Sequence, residues 1–189
     1  MNRLNEAIIF ATHAHENQVR KVTKTPYILH PLEVCNLIAT IKQDEDLMIA
    51  GVLHDVCEDC GVSIDVIKEK FGSRVSELVN AETENKFIKQ SKEETWMIRK
   101  QESINRLKKT TDEDIRILWM CDKVSNLRSL RVSYQVYHED LWNFFHQKDK
   151  KMHKWYYTEI LNELDSFKDT LVYKEYLAIM NELFGGIND

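Results

Sequence analysis

Glycine and proline are scarce, five and two in 189 residues, against about 12% of an average chain. All-β folds turn roughly every ten residues and fill those turns with the same two residue types. Their scarcity therefore excludes that class and points to long helices. It also leaves no glycine-rich phosphate loop, so any phosphate chemistry must fall to side chains and metal instead of backbone amides. No apolar run approaches the roughly 20 residues of a membrane-spanning helix. The N-terminus, MNRLNEAIIFATHAHENQ, turns polar too early for a signal peptide. There are only four cysteines, Cys35, Cys57, Cys60 and Cys121. A chain of this length buries roughly 70% of its unfolded surface without disulfides, so reduced thiols and a cytoplasmic location are expected. Twenty-six Lys and Arg against 31 Asp and Glu leave a net charge of −5. That balance repels nucleic acid and anionic membranes, while a local basic pocket remains compatible with it.

The apolar spacing predicts one domain over residues 1–189, all-α, with eight to ten helices. A first helix is expected over 3–18, followed by a loop with the basic pair Arg20-Lys21. Pro26 should hold the chain extended through Tyr27–Leu29, and Pro31 should open a helix whose buried face is Val34, Leu37, Ile38 and Ile41. Asp44 or Asp46 can cap a central helix over 47–57. Ser63 caps the next, which ends at Gly72, and Ser73 opens another to about Thr83. Further helices are expected from Ser91 to about Lys109, with Trp96, Ile98, Ile104 and Leu107 packing, and from a cap at Asp112 over 115–131. The last three fall over about 134–146, 151–166 and 170–184, the final one stopped by Gly185-Gly186.

His54-Asp55-x-x-Glu58-Asp59 places four ionisable groups in an otherwise apolar segment. On a continuous helix their side chains would share one end, and such groups are rarely buried without partners. His30 sits beside Pro31, downstream of Arg20-Lys21. Asp122 and Asn126 lie four apart on an apolar helix. Taken singly, a solvated helix end or a hydrogen-bonded core residue explains each equally well. Jointly they offer two imidazoles and two carboxylates, a mixed donor set suited to a divalent transition metal. Cys57-x-x-Cys60 lacks the second cysteine pair of a zinc ribbon and the βαβ context of a redox site. The aromatic stripe around Tyr156 and Tyr157 reads equally well as helix packing.

Five strings, AHENQVRK at 14–21, TPYILHP at 25–31, AGVLHDVCED at 50–59, FGSRVSELV at 71–79 and CDKVSNLRSL at 121–130, resemble the HD-domain phosphohydrolases. Within them the likeness is to the hydrolase half of the RelA/SpoT enzymes and their stand-alone small alarmone hydrolase relatives. The resemblance implies an all-helical hydrolase that converts (p)ppGpp to GDP or GTP and pyrophosphate with one Mn²⁺. It implies His30, His54, Asp55 and Asp122 as metal ligands, and Glu58 and Asp59 as the groups handling the attacking water and its proton. Arg20, Lys21 and Asn126 correspond to residues near the nucleotide, and Arg99, Lys100 and Tyr156 to further substrate contacts. The string Ala81-Glu-Thr-Glu-Asn-Lys86 departs from the long members, as does Lys-Val-Ser at 123–125, where many have Arg-Leu-His. Other nucleotides, NADPH or a deoxynucleoside monophosphate, fit the same metal set; a non-catalytic alarmone-binding module, the kind that arises when HD domains lose their ligands, is the reading from a different class.

Overall fold

The computed structural model describes residues 1–84 and 94–185, and among these the secondary structure is helical apart from one isolated antiparallel bridge between Val19 and Pro26. In chain order the helices are α1 (Arg3–Ala14), α2 (Leu29–Ile41), α3 (Glu45–Leu53), α4 (Val56–Asp59), α5 (Ile64–Phe71) and α6 (Ser73–Glu82). They continue with α7 (Trp96–Lys109), α8 (Glu113–Tyr137), α9 (Lys150–Asn162) and α10 (Leu171–Phe184). Short 3₁₀ turns cover His138–Phe144 and Asp165–Phe167. No helix among the described residues is long and apolar enough to cross a membrane.

Side-chain caps set several of the helix starts. Asp44 accepts from the Leu47 amide, Ser63 from Val66, Asp112 from Asp114 and Thr170 from Tyr173. Each satisfies an amide that the first helical turn leaves unpaired. Gly72, at φ 95°, turns the chain between α5 and α6 with a backbone that a side chain would strain.

Helix α3 forms the centre. It packs on α1, α2, α6 and α8, and Leu47, Ile49, Ala50, Gly51, Val52 and Leu53 are all buried. A Cβ at Gly51 would lie 2.6 Å from Ile38 Cδ1 and 3.4 Å from the Cys35 backbone, so the missing side chain is what lets α2 and α3 approach. The long helix α8 runs beside α2, α6 and α10 and presents Leu118, Met120, Val124 and Leu127, fully buried, to the core.

Several expectations are corrected. The first helix stops at Ala14, and residues 15–28 form turns instead of a helix end followed by an extended segment. Helix α2 begins at Leu29, so Pro31 lies inside its first turn, where its lack of an amide costs no hydrogen bond. The segment 47–57 is not one helix, because α3 ends at Leu53 and α4 restarts at Val56. The Gly51 carbonyl at that break is taken by the His54 imidazole. The helix expected to end near Arg131 continues to Tyr137 and absorbs the start of the segment expected over 134–146. Ile98 is 49% exposed instead of packed. His153, at the polar start of its helix, is buried against Trp96 and Trp142. The expected start at Ser91, residues 85–90 of the polar stretch 84–90 expected to connect two helices, and Gly186 lie outside the described residues.

Candidate metal centre and nucleotide pocket

The first turn of α2, the α3–α4 break and the middle of α8 bring His30, His54, Asp55 and Asp122 together. The ligand atoms of His30, His54 and Asp122 all lie within 4.8 Å of one another, and all three residues are buried. His30 Nε2 is 3.1 Å from Asp122 Oδ1 and 3.4 Å from Asp55 Oδ2. His54 Nε2 is 3.0 Å from Asp55 Oδ2 and 3.6 Å from Asp122 Oδ1. Asp55 thus touches both rings from the edge of the three-residue cluster.

Each imidazole is oriented from its far side. His54 Nδ1 lies 2.8 Å from the Gly51 carbonyl, which can only accept, so Nδ1 carries a proton and Nε2 is the atom turned to the carboxylates. That Nε2 is buried without a hydrogen-bond partner. Lone pairs aimed at carboxylate oxygens repel unless positive charge stands between them. Burial alone would push His54 down and the two aspartates up. Attraction overcomes it, holding His54 well above its ordinary value through Asp55 and Asp122. Asp55 is held well below by His54 and His30, and Asp122 well below by Lys123 and the same two rings. A proton on one ring meets part of this demand, and a divalent cation meets it for both carboxylates. The donor set of two imidazoles and two carboxylates therefore fits a divalent metal.

Around the cluster, Tyr27 Oη lies 2.7 Å from Asp55 Oδ2 and 3.1 Å from Asp59 Oδ2, so its one proton is shared between them. Glu58 accepts from the Glu84 amide at 3.3 Å. Burial, then the charges of Glu84, Asp55 and Asp59, push its carboxyl up to about 7. Asn126 accepts from Arg20 Nη2 at 2.8 Å and donates to Asp122 Oδ1 at 2.7 Å, linking the basic loop to the cluster.

Two cavities meet here. One of about 160 Å³ is lined by His30, Asp55 and Asp122 of the cluster with Glu58, Asp59, Glu82 and Glu84. The other, about 320 Å³, is lined by Arg20, Lys21, Lys100 and Lys123 and by the rings of Trp96, Phe145, Tyr156 and Tyr157. Tyr27, Lys100, Lys123, Asn126 and Tyr156 line both. Lys100 Nζ sits 4.7 Å from the Tyr156 ring centre and 2.7 Å from Glu84 Oε1. Arg99 also binds Glu84, at 2.5 Å, and lines neither cavity. Lys21 lies 5.8 Å from the Phe145 ring centre.

Sequence reasoning missed Tyr27, Glu82, Lys123 and Ser125. Lys123 is buried, contacts Asp122 and lies 3.4 Å from Glu82 Oε1. Glu82, at 7% exposure, is pushed up to about 8 by burial and Asp122. The signal available was their position inside the quoted strings or next to an expected ligand.

The HD domain family model matches residues 7–142. The chain is 35% identical over 153 residues to the guanosine-3′,5′-bis(diphosphate) 3′-pyrophosphohydrolase of Aquifex aeolicus, covering 80% of this chain and 19% of that protein. It is 32% identical over 133 residues to the bifunctional (p)ppGpp synthase/hydrolase SpoT of Escherichia coli, covering 69% and 18%. The chain thus spans about a fifth of the length of the curated relatives it matches. Among solved structures, a metazoan ortholog of SpoT described as hydrolysing ppGpp superposes with a TM-score of 0.79 at 22% identity, covering 98% of this chain and 97% of that one. A Listeria monocytogenes protein superposes with a TM-score of 0.71 at 28% identity, covering 86% and 98%.

Proposed function

The chain belongs to the HD domain family, and on that premise we propose that it is a cytoplasmic, Mn²⁺-dependent hydrolase removing the 3′-pyrophosphate of (p)ppGpp, with residues 1–189 acting as one domain. The observation that carries this reading is the junction of the two cavities. A cluster whose donor set fits a divalent cation opens directly onto a pocket with four cationic side chains and a wall of aromatic rings. Such a pocket suits a base and several phosphates, and it does so in a chain whose net charge would otherwise repel them.

His30, His54, Asp55 and Asp122 would hold the metal, which when bound supplies Lewis-acid withdrawal of charge from a phosphoryl oxygen. Glu58, poised near neutrality, takes the proton of the attacking water, and Asp59 and Tyr27 hold the hydrogen-bonded edge beside it. Lys100, Lys123, Arg20 and Lys21 neutralise the pyrophosphate and the 5′-phosphates. Tyr156 stacks on the base, and Asn126 keeps Arg20 in register with Asp122. Arg99 acts on substrate only through Glu84.

The test is a turnover panel of ppGpp, NADPH and dAMP with Mn²⁺, with Asp55→Ala as control. Pyrophosphate released from ppGpp by the wild type and not by the variant is expected. Turnover of NADPH or dAMP with ppGpp left intact overturns the substrate assignment. Tight ppGpp binding with no turnover of any panel member makes the chain a binding module instead.

A further inference from the structure

The two imidazoles of the cluster are oriented by different means. His54 leans on a backbone carbonyl, Gly51 O, three residues away, a contact no substitution of a side chain can remove. His30 leans on a side chain from another helix, with Nδ1 lying 2.8 Å from Ser125 Oγ, 95 residues along the chain. Ser125 in turn donates to Glu33 Oε2 at 2.5 Å. Its one proton is thereby committed, so the Ser125 oxygen can only accept from His30, whose Nδ1 must carry the proton. Glu33 is itself fixed, since Arg128 Nη1 binds its other oxygen at 2.8 Å while Arg128 Nε and Nη2 grip Glu175 at 2.7 and 2.6 Å.

We infer that Glu33 and Ser125 form a positioning relay, anchored by Arg128, that fixes His30 in the tautomer able to ligate the metal. The relay rests on the metal-hydrolase reading above. Were Nδ1 bare, the proton would sit on Nε2 and point at Asp122 and Asp55, and His30 would donate a hydrogen bond where a lone pair is needed. The negative charge of Glu33, passed through the Ser125 hydroxyl, also makes Nε2 a stronger donor to a cation. The relay is reached from outside. Ser125, Glu33, Arg128 and His30 line a further cavity of about 370 Å³, which shares Arg20 and Ser129 with the nucleotide pocket. Glu33 and Arg128 keep about a third of their side-chain surface exposed there. Glu33, Ser125 and Arg128 line neither the nucleotide pocket nor the cavity of the carboxylates, so the relay supports the metal without touching substrate.

The experiment is a titration of the purified protein with Mn²⁺, without nucleotide, by calorimetry and by the electron paramagnetic signal of free Mn²⁺. Ser125→Ala is expected to weaken Mn²⁺ binding by about 10- to 100-fold. Glu33→Ala, which leaves the Arg128–Glu175 pair in place, should weaken it in the same direction, and Glu33→Gln, which keeps an acceptor, should weaken it less. The double variant should be no weaker than Ser125→Ala alone, because both break one chain. Metal-free melting temperatures should move far less than the affinities. Losses that add, or an affinity that Ser125→Ala leaves unchanged, overturn the relay while leaving ppGpp hydrolysis by the wild type standing. Should Ser125→Ala fold poorly, the comparison of Glu33→Ala with Glu33→Gln decides alone, equal losses or no loss overturning the relay. A wild type that binds no cation overturns relay and metal reading together.

Discussion

Glu58 gives the sharpest test, because the environment proposed to make it useful should also make it costly. Burial and three neighbouring carboxylates raise its carboxyl from an ordinary 4.5 to about 7. The folded chain therefore holds this proton more tightly than the unfolded one, and the associated stability is complete below 4.5 and lost as pH rises to 7. The raised value corresponds to about 3 kcal/mol. Glu58→Gln keeps an acceptor for the Glu84 amide and removes the ionisation. The metal-free variant should thus unfold at higher urea than wild type above about pH 8, by about 3 kcal/mol, with the gain falling below about 1 kcal/mol near pH 5. Mn²⁺ should shrink the gain, since a cation beside Glu58 favours its charged form. The same variant should lose about 10²- to 10⁴-fold in hydrolysis if Glu58 handles the proton. Equal stability at both pH values, or a gain as large near pH 5 as above pH 8, would refute the electrostatic reasoning.

Tyr27→Phe removes the donor that Asp55 and Asp59 share and should weaken Mn²⁺ binding, as read by calorimetry, by about 1.5–3 kcal/mol. Lys100→Met and Arg20→Met should raise KM for ppGpp more than they lower kcat, while Arg99→Met changes KM less because Arg99 lines neither cavity. Tyr176 lines neither cavity, and Tyr176→Phe deletes the buried bond from its Oη to the carbonyl of the pocket residue Tyr157 at 2.9 Å. It should cost about 1 kcal/mol in urea unfolding and leave Mn²⁺ affinity unchanged.

The helices were legible wherever a cap and an apolar period agreed, as at Asp44, Ser63, Asp112 and Gly72. They were least legible at the site itself. Periodicity ran straight through His54-Asp55, because Val56 is as apolar as Leu53, and nothing local signalled that the His54 ring would take the Gly51 carbonyl and end α3. The metal-ligand set could be named from the motif strings, but its second layer could not. Glu33 and Ser125 are 92 residues apart and Tyr27 and Asp55 are 28 apart. Such pairs obey no local period, so only the packing of α2 against α8 reveals the first, and that of the turn before α2 against the α3–α4 break the second. His153 makes the same point from the other side, since a histidine in a polar segment of sequence belongs to an aromatic cluster in the fold.

What unites the fold and the site is charge. The smaller cavity gathers six carboxylates, Asp55, Glu58, Asp59, Glu82, Glu84 and Asp122, with only Lys100 and Lys123 in its lining to oppose them. Such a group is tolerated because part of it stays protonated, with Glu58 near 7 and Glu82 near 8, and because the remaining charge is met by buried imidazole and ammonium groups. The first device fails as pH rises through 7 and 8 while the ammonium groups of Lys100 and Lys123, raised above their ordinary values, stay charged, so the metal-free chain should become progressively less stable through the neutral range. A divalent cation reverses that trend by favouring every carboxylate at once. The chain should then show its largest Mn²⁺-induced rise in melting temperature above about pH 8 and its smallest near pH 5, where protons already do the cation's work. A rise independent of pH would mean that the cation binds away from this cavity.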